Sequence, residues 1–270
     1  VDFCCELFIN GSRVGEHWGG YLPFSFDITR FLVEGENELV LACTDATEAE
    51  LHQKGKQRLE PGGIWYTSVS GIWQTVWLEV LPRQHIQSLK LTPNLDACEL
   101  LVEAILSEGL DCSRMEVKTI ASFEGQEVAR ARAESANRLL LHIPEPKKWH
   151  PDHPCLYDLT VRLKVDGVVV DEVSSYFAMR KFGKTRDEKG FWRFTLNDEP
   201  IFQFGPLDQG YFPEGLYTAP SEEAMLFDIE YAKKIKPSVE VNATLRHGPE
   251  PKAQGFADES ALLRELRSQI

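Results

Sequence analysis

The sequence is poor in cations. Its 29 lysines and arginines face 42 aspartates and glutamates over 270 residues, a formal net charge of −13. A nucleic-acid binder needs clustered positive charge to neutralise phosphates, so that class is excluded. Long hydrophobic runs are also missing. Apolar runs stop after a few residues, as at 139–141 and 168–170, where a membrane-spanning helix needs about 20; the expectation is a soluble chain with no membrane partner. Six cysteines are present, but none has the CxxC spacing of a zinc site. Cys4 and Cys5 are adjacent, and Cys43, Cys98, Cys112 and Cys155 are scattered. At this length a core forms without staples, so buried free thiols in a reducing, cytoplasmic compartment are expected. No basic-then-apolar leader is seen, and Val1 starts inside a strand-like run, which points to an N-terminus that continues upstream. A glycine-rich phosphate loop, a Walker motif and a nucleophile elbow are all absent, and nothing calls for a cofactor.

What is present is ample apolar and aromatic content, 43% and 10%, enough to build packed cores in two or three domains. Strand and hairpin signals fill the first two hundred residues. Asn10 and Gly11 follow the run ELFI, and both residue types tolerate the positive φ of a two-residue hairpin turn. Similar punctuation recurs around Gly35 to Asn37, at Glu124 and Gly125, at Asp166 and Gly167, and from Asn197 to Pro200. Flanking segments alternate in polarity. In TVRLKVDGVVVDEV, Val161, Leu163 and Val165 share one face, and Arg162, Lys164 and Asp166 the other. Short strands separated by turn chemistry predict antiparallel sandwiches.

Breaks in this pattern predict the domain bounds. The strand TVWLEVL closes a first domain at 1–82, with Pro82 and Arg83 as linker, and a second strand series occupies 83–180. From 181 to 235 the character changes. FWRFTLNDEPIFQFG reads as a hairpin feeding a strand, a Gly/Pro/Tyr-rich loop covers 206–220, and SEEAMLFDIEYAKKI reads as a helix. Ser221 is its N-cap, Glu222 and Glu223 complement the helix dipole in the first turn, and Lys233 and Lys234 do so in the last. Met225, Leu226 and Ile229 form its apolar face.

Four segments together resemble glycoside hydrolase family 2, the β-galactosidase and β-glucuronidase group. INGSRVGEHWGGYLPFSFDIT at 9–29 is similar to the hairpin and GGY-x-PF-x-x-DIT run of that family's N-terminal jelly roll, and GGIWYTSVSGIWQTVWLE at 62–79 to the strand that closes the same domain. KKWHPDHPCLYDLTVRL at 147–163 resembles the strand entry of its immunoglobulin-like domain, and residues 194–235 resemble the entry to its catalytic barrel. The fold class implied is mainly β: a galactose-binding-like jelly-roll sandwich, an immunoglobulin-like β-sandwich, then the first strand and helix of a TIM barrel. Gly19 and Gly20 allow a tight turn before Tyr21, and Pro23 stiffens the approach to a strand at 24–29. Trp73 and Trp77 read as core, whereas Trp65 and Tyr66, beside Gly62 and Gly63, stand between a core edge and a sugar-facing loop.

The resemblance implies retaining hydrolysis of a terminal β-glycoside, in which one carboxyl protonates the leaving oxygen while a carboxylate attacks the anomeric carbon. In the family both are glutamates late in the barrel, a fold of about 250 residues; only 90 residues follow Arg180 here. No residue is therefore assigned a catalytic role. The dipeptide Asn37–Glu38 is the one NE in the chain and reads as structural. Beyond 235, Asn242, Arg246 and His247 weakly echo the family pattern, and Asp258 with Leu262, Leu263, Leu266 and Ile270 reads as a capped helix stripe. Residues 236–270 are expected to be a divergent or truncated tail, with truncation favoured because an open two-element barrel leaves a bare sheet edge.

Asp208 lies in the loop after the expected first barrel strand and is the candidate for a substrate-hydroxyl contact, against the commoner role of capping a turn. Trp65 and Tyr66 complete the candidate set. His150, His153 and Cys155 have ligand-like spacing but fall in a Pro-broken loop, so no metal site is expected. His17, beside Trp18, has no visible acid partner and reads as structural. Two functions follow: a front portion of a family 2 glycosidase whose partner is a carbohydrate, or a non-catalytic carbohydrate-binding or assembly module. A homo-oligomer is left open.

Overall fold

A computed structural model describes residues 1–203 and 207–240. It divides into two compact units, Val1–Trp77 with the described residues beyond 206, and Leu78–Gln203. The tail read at 236–270 lies outside the described residues from 241 onward, and with it Asn242, Arg246, His247, Asp258 and the leucine stripe.

In the first unit β1 (Cys4–Ile9) and β2 (Ser12–Trp18) are joined by Asn10 at φ 50° and Gly11 at φ 76°. This is the expected turn, whose twist matches the flanking strands. β3 (Leu39–Thr44) pairs antiparallel with the other edge of β1, giving the order β2-β1-β3. As the central strand, β1 is covered best: Cys4, Cys5, Leu7 and Ile9 are all buried. On the polar side Arg13 pairs with Glu6 at 2.8 Å and also with Glu16. The punctuation around Gly35 does not make a strand hairpin. Instead the Asn37 side chain organises a loop, accepting from the Val33 amide (2.8 Å) and donating to the Val33 and Gly35 carbonyls (2.9 and 3.0 Å).

Two expected strands are not formed. Residues 24–29 and 75–81 carry strand-like patterns but do not adopt strand conformation; an alternating pattern alone does not specify strand pairing. Trp77, expected in the core, is 68% exposed. β4 (Gln57–Arg58) and β5 (Tyr66–Thr67) form a short parallel pair. The helix α1 (Glu222–Glu240) starts where expected: Ser221 Oγ accepts from the Ala224 amide at 3.2 Å. Backbone and Ser221 hydrogen bonds hold the Glu223 carboxyl below its ordinary range. The helix runs past Lys233 and Lys234 because no glycine caps it there. The barrel strand expected after the hairpin is not formed at 201–203, and its continuation at 204–206 lies outside the described residues.

The second unit is a sandwich. β6 (Ile86–Asn94), β7 (Glu99–Leu106) and β10 (Arg138–His142) form one sheet. The other has the order β12-β11-β8-β9, from β8 (Met115–Phe123), β9 (Gln126–Glu134), β11 (Tyr157–Val165) and β12 (Val168–Phe177). Their turns are Glu124–Gly125 (φ 51° and 77°) and Asp166–Gly167 (φ 51° and 79°). Alternation dictates which side chains face inward: Leu100 and Val102, Leu139 and Leu141, Val117, Leu159, Val161 and Leu163 form one buried cluster. On the outer face Arg162 pairs with Glu172, and Lys164 with Glu116 at 3.0 Å. Tyr157 stacks on Phe177 (5.0 Å), and its phenol accepts the Lys147 amide at 2.7 Å. A final antiparallel set, β13 (Phe182–Arg186), β14 (Trp192–Leu196) and β15 (Glu199–Pro200), turns at Asn197 and Asp198, both at positive φ. The described architecture is mainly β, with no closed barrel among the described residues.

Candidate functional site

The first unit gathers aromatic side chains around a buried polar core. Tyr66, on β5, stacks on Tyr211 with ring centroids 4.3 Å apart. Tyr211 in turn meets Tyr217 edge-on at 5.3 Å and donates its hydroxyl to the Thr67 carbonyl. Tyr217 packs against Trp73 at 5.2 Å, and its hydroxyl lies 2.7 Å from that of Tyr21. Gln57 ties this wall to the interior. Its amide nitrogen donates to the Tyr217 hydroxyl (2.8 Å) and to Asp2 Oδ2 (3.2 Å), while its carbonyl accepts the Val69 amide (2.6 Å). Trp73 Nε1 donates to the Gly20 carbonyl at 2.9 Å, and Thr218 Oγ1 donates to the Trp73 carbonyl at 2.8 Å. The loop at 207–220 is thereby fastened to the strands of this unit through tyrosine hydroxyls and ring faces.

Electrostatics follow from burial. Asp2 is 1% exposed, and loss of water pushes its carboxyl up despite the Gln57 hydrogen bond. Its Oδ1 has no hydrogen-bond partner. A Cβ at position 20 would lie 2.8 Å from that oxygen, so any side chain there requires the Asp2 carboxyl to shift. Burial, and then the Tyr21 hydroxyl, push the Tyr217 phenol far above the ordinary tyrosine range. Both groups are therefore held toward their neutral forms.

Nearby, His52 Nε2 lies 3.2 Å from Asp45 Oδ1, both side chains buried, with the Phe3 ring 4.4 Å from the imidazole. Burial alone would raise the Asp45 carboxyl, but hydrogen bonds from Ser70 (2.7 Å) and the Thr47 amide (2.8 Å) bring it below its ordinary range. The Ser70 hydroxyl is thus spent on a carboxylate. In a catalytic triad the serine donates to an imidazole that the carboxylate orients; here Ser70 donates directly to Asp45, a carboxylate held below its ordinary range and so a weak base, and the imidazole lies on the far side of it.

Of the residues singled out by sequence, Tyr66 sits in the aromatic wall. Trp65 is 39% exposed beside it, in a tight bridge with Gly62, and the Arg58 guanidinium lies 4.3 Å from its ring centroid. Asp208 is exposed, and its Oδ1 accepts the Gly210 amide at 2.7 Å, closing an Asx turn. His150 Nδ1 is 3.2 Å from Asp152, and the described residues hold no group of three or more potential metal ligands. His17 stacks on Phe24 at 4.0 Å and contacts the Gly19 carbonyl. Sequence reasoning missed Asp2, Gln57 and Tyr217. Tyr217 was signalled by the Tyr-rich loop; Asp2 and Gln57 had no local signal, since their partners are 55 and 160 residues away.

Comparison with known proteins adds the family. The profile of "Glycosyl hydrolases family 2, sugar binding domain" matches residues 1–82, and that of "Glycosyl hydrolases family 2" matches residues 84–180. A β-galactosidase of Thermoanaerobacter pseudethanolicus is 28% identical over 217 residues, covering 73% of this chain and 26% of the relative. A β-galactosidase of Alteromonas mediterranea is 30% identical over 191 residues, covering 63% of this chain and 17% of the relative. Among solved structures, β-glucuronidase from Ruminococcus gnavus in complex with D-glucuronic acid superposes with TM-score 0.69 at 20% identity, over 86% of this chain and 40% of that one. The chain spans about a quarter of the length of the first curated relatives it matches. The jelly-roll class of the first unit and the immunoglobulin-like class of the second agree with these matches.

Proposed function

Because the chain belongs to the glycosyl hydrolases of family 2, we propose that its 270 residues form the non-catalytic front of a retaining β-glycosidase acting on terminal β-galactosides or β-glucuronides. The observation that carries this reading is the consecutive order of the sugar-binding domain at 1–82 and the second family domain at 84–180. The chemistry needs a carboxylic acid and a carboxylate about 5–5.5 Å apart; we place that pair outside this chain. A barrel takes about 250 residues, and 90 follow Arg180. The domain bounds proposed are 1–82, 83–180 and 181–235, with 236–270 a truncated or divergent tail.

In this reading the first unit is a platform. Its tyrosine wall holds the loop at 207–220, and Asp208 on that loop contacts a substrate hydroxyl in the complete enzyme, with Trp65 and Tyr66 at the rim. No helix among the described residues is long and apolar enough to cross a membrane, and the six free cysteines fit a reducing cytoplasmic setting. The second reading, an autonomous carbohydrate-binding module, is favoured by the exposure of Trp65 and of Tyr21 (45%). Isothermal titration of the purified chain with galactose, glucuronic acid and their β-linked oligosaccharides separates the two. The platform predicts no saturable heat. Saturable binding abolished by Trp65→Ala would replace it with the module.

A further inference from the structure

Two cysteines distant in sequence meet across the sheet of the first unit. β1 and β3 run antiparallel in unbroken register from Cys4↔Thr44 to Ile9↔Leu39, which sets Cys5 directly opposite Cys43. Two bonds at the ends of the ladder fix its hydrogen-bonding phase. The Asn10 amide donates to the Glu38 carbonyl at 2.9 Å, one step beyond Ile9 and Leu39, so Asn10 and Glu38 occupy a bonded position. At the other end the Gly19 amide donates to the Phe3 carbonyl at 2.9 Å, so Phe3, and by alternation Cys5, turns its backbone polar groups toward β2. Bonded and non-bonded pairs alternate along an antiparallel ladder. Both ends therefore make Cys5/Cys43 a non-hydrogen-bonded pair.

That position suits a disulfide. Opposed residues at a non-bonded position have Cα atoms about 4.5 Å apart, within the roughly 4.4–6.8 Å a disulfide spans, and their side chains leave the same face of the sheet. We propose that Cys5 and Cys43 are a redox pair, a modification site at which exchange with a low-molecular-weight disulfide such as oxidised glutathione links β1 to β3. The inference is independent of the glycosidase reading.

Exposure orders the two steps. Cys43 is exposed, whereas Cys5 is 1% exposed. The Cys43 thiolate, its proton lost to water, attacks one sulfur of the small disulfide; that S–S bond breaks, a mixed disulfide forms, and the first small thiolate leaves and takes up a proton. The Cys5 thiolate, likewise deprotonated by solvent, then attacks the Cys43 sulfur and releases the second small thiolate, which is protonated in turn. Two protein thiols are oxidised and one small disulfide is reduced to two thiols. Burial, and then the neighbouring Cys43, raise the Cys5 thiol, while the His17 amide and the N-terminal ammonium oppose this and Cys4 adds to it. The resolving step therefore quickens as pH rises. The product ties the outer strand β3 to the central strand of a three-stranded sheet.

The test is peptide mapping of the full 270-residue chain after incubation with oxidised glutathione at mildly alkaline pH, alkylation of remaining thiols and non-reducing digestion. The expected result is a linked peptide pair containing Cys5 and Cys43, a chain mass lower by two hydrogen atoms, and full reversal by reductant. The link is lost in Cys43→Ser, which keeps the wild-type circular dichroism, and retained when Cys98, Cys112 and Cys155 are all serine. Free thiols at both positions, glutathione resting on Cys43 without transfer to Cys5, or Cys43 joined to any other cysteine would each overturn the proposal.

Discussion

Asp2 shows how one buried oxygen sets the behaviour of its surroundings. Its carboxyl is raised in the folded chain, mainly by burial. Below the ordinary carboxylate range both folded and unfolded forms are protonated, and the neutral acid's full contribution to stability is present. As pH climbs, the unfolded chain ionises first, so that contribution is lost progressively until the raised folded value is passed. Hydrogen–deuterium exchange in β1, corrected for the intrinsic pH dependence of exchange, is therefore expected to quicken as pH rises above the ordinary carboxylate range, and Asp2→Asn to flatten the dependence. Tyr217 makes a second prediction. Tyr217→Phe keeps the ring against Trp73 but removes the oxygen that accepts from Gln57 and meets Tyr21. A net loss of about 1–3 kcal/mol is expected, read as faster proteolysis of the loop at 207–220. The Tyr-rich loop signalled Tyr217 but not its partners, and Asp2 had no signal at all, because both sets of partners are fixed by tertiary approach that no periodicity encodes.

At the scale of elements, legibility tracked how local the determining chemistry is. The turns at Asn10–Gly11, Glu124–Gly125 and Asp166–Gly167 stand where their residues require positive φ. The alternation of β11 gave its buried face, Val161 and Leu163, and the start of α1 was written in Ser221 and the two glutamates after it. The strands expected at 24–29 and 75–81 did not form, because a strand needs a partner that its own pattern does not specify. Trp77 was misplaced with them. The end of α1 was missed because Lys233 and Lys234 favour a helix terminus without supplying the cap that makes one. The sandwich core carries the prediction at this scale. Leu163 is fully buried in the cluster spanning both sheets, so Leu163→Ala is expected to remove about 2–5 kcal/mol, measured by urea unfolding of the immunoglobulin-like unit.

For the whole molecule, two domains of a glycosidase family are present, and the paired carboxyls that its reaction requires are proposed to lie outside this chain. The candidate residues reflect that division. Tyr66 belongs to the wall that fastens a loop, Trp65 rests beside Arg58, and Asp208 is exposed with one oxygen closing a turn. Family membership was legible because its motifs are dense in Gly, Trp and Pro at positions of tight turn and ring packing. Chemistry was not, because none of those motifs presents a recognisable pair of carboxyls in the acid and nucleophile roles. The most direct measurement is turnover of an aryl β-galactoside and an aryl β-glucuronide by the purified 270-residue chain. A rate equal to that of buffer is predicted for both. Turnover of either, abolished by one Asp or Glu substitution between 181 and 270, would contradict the account and place the catalytic carboxyls inside this chain.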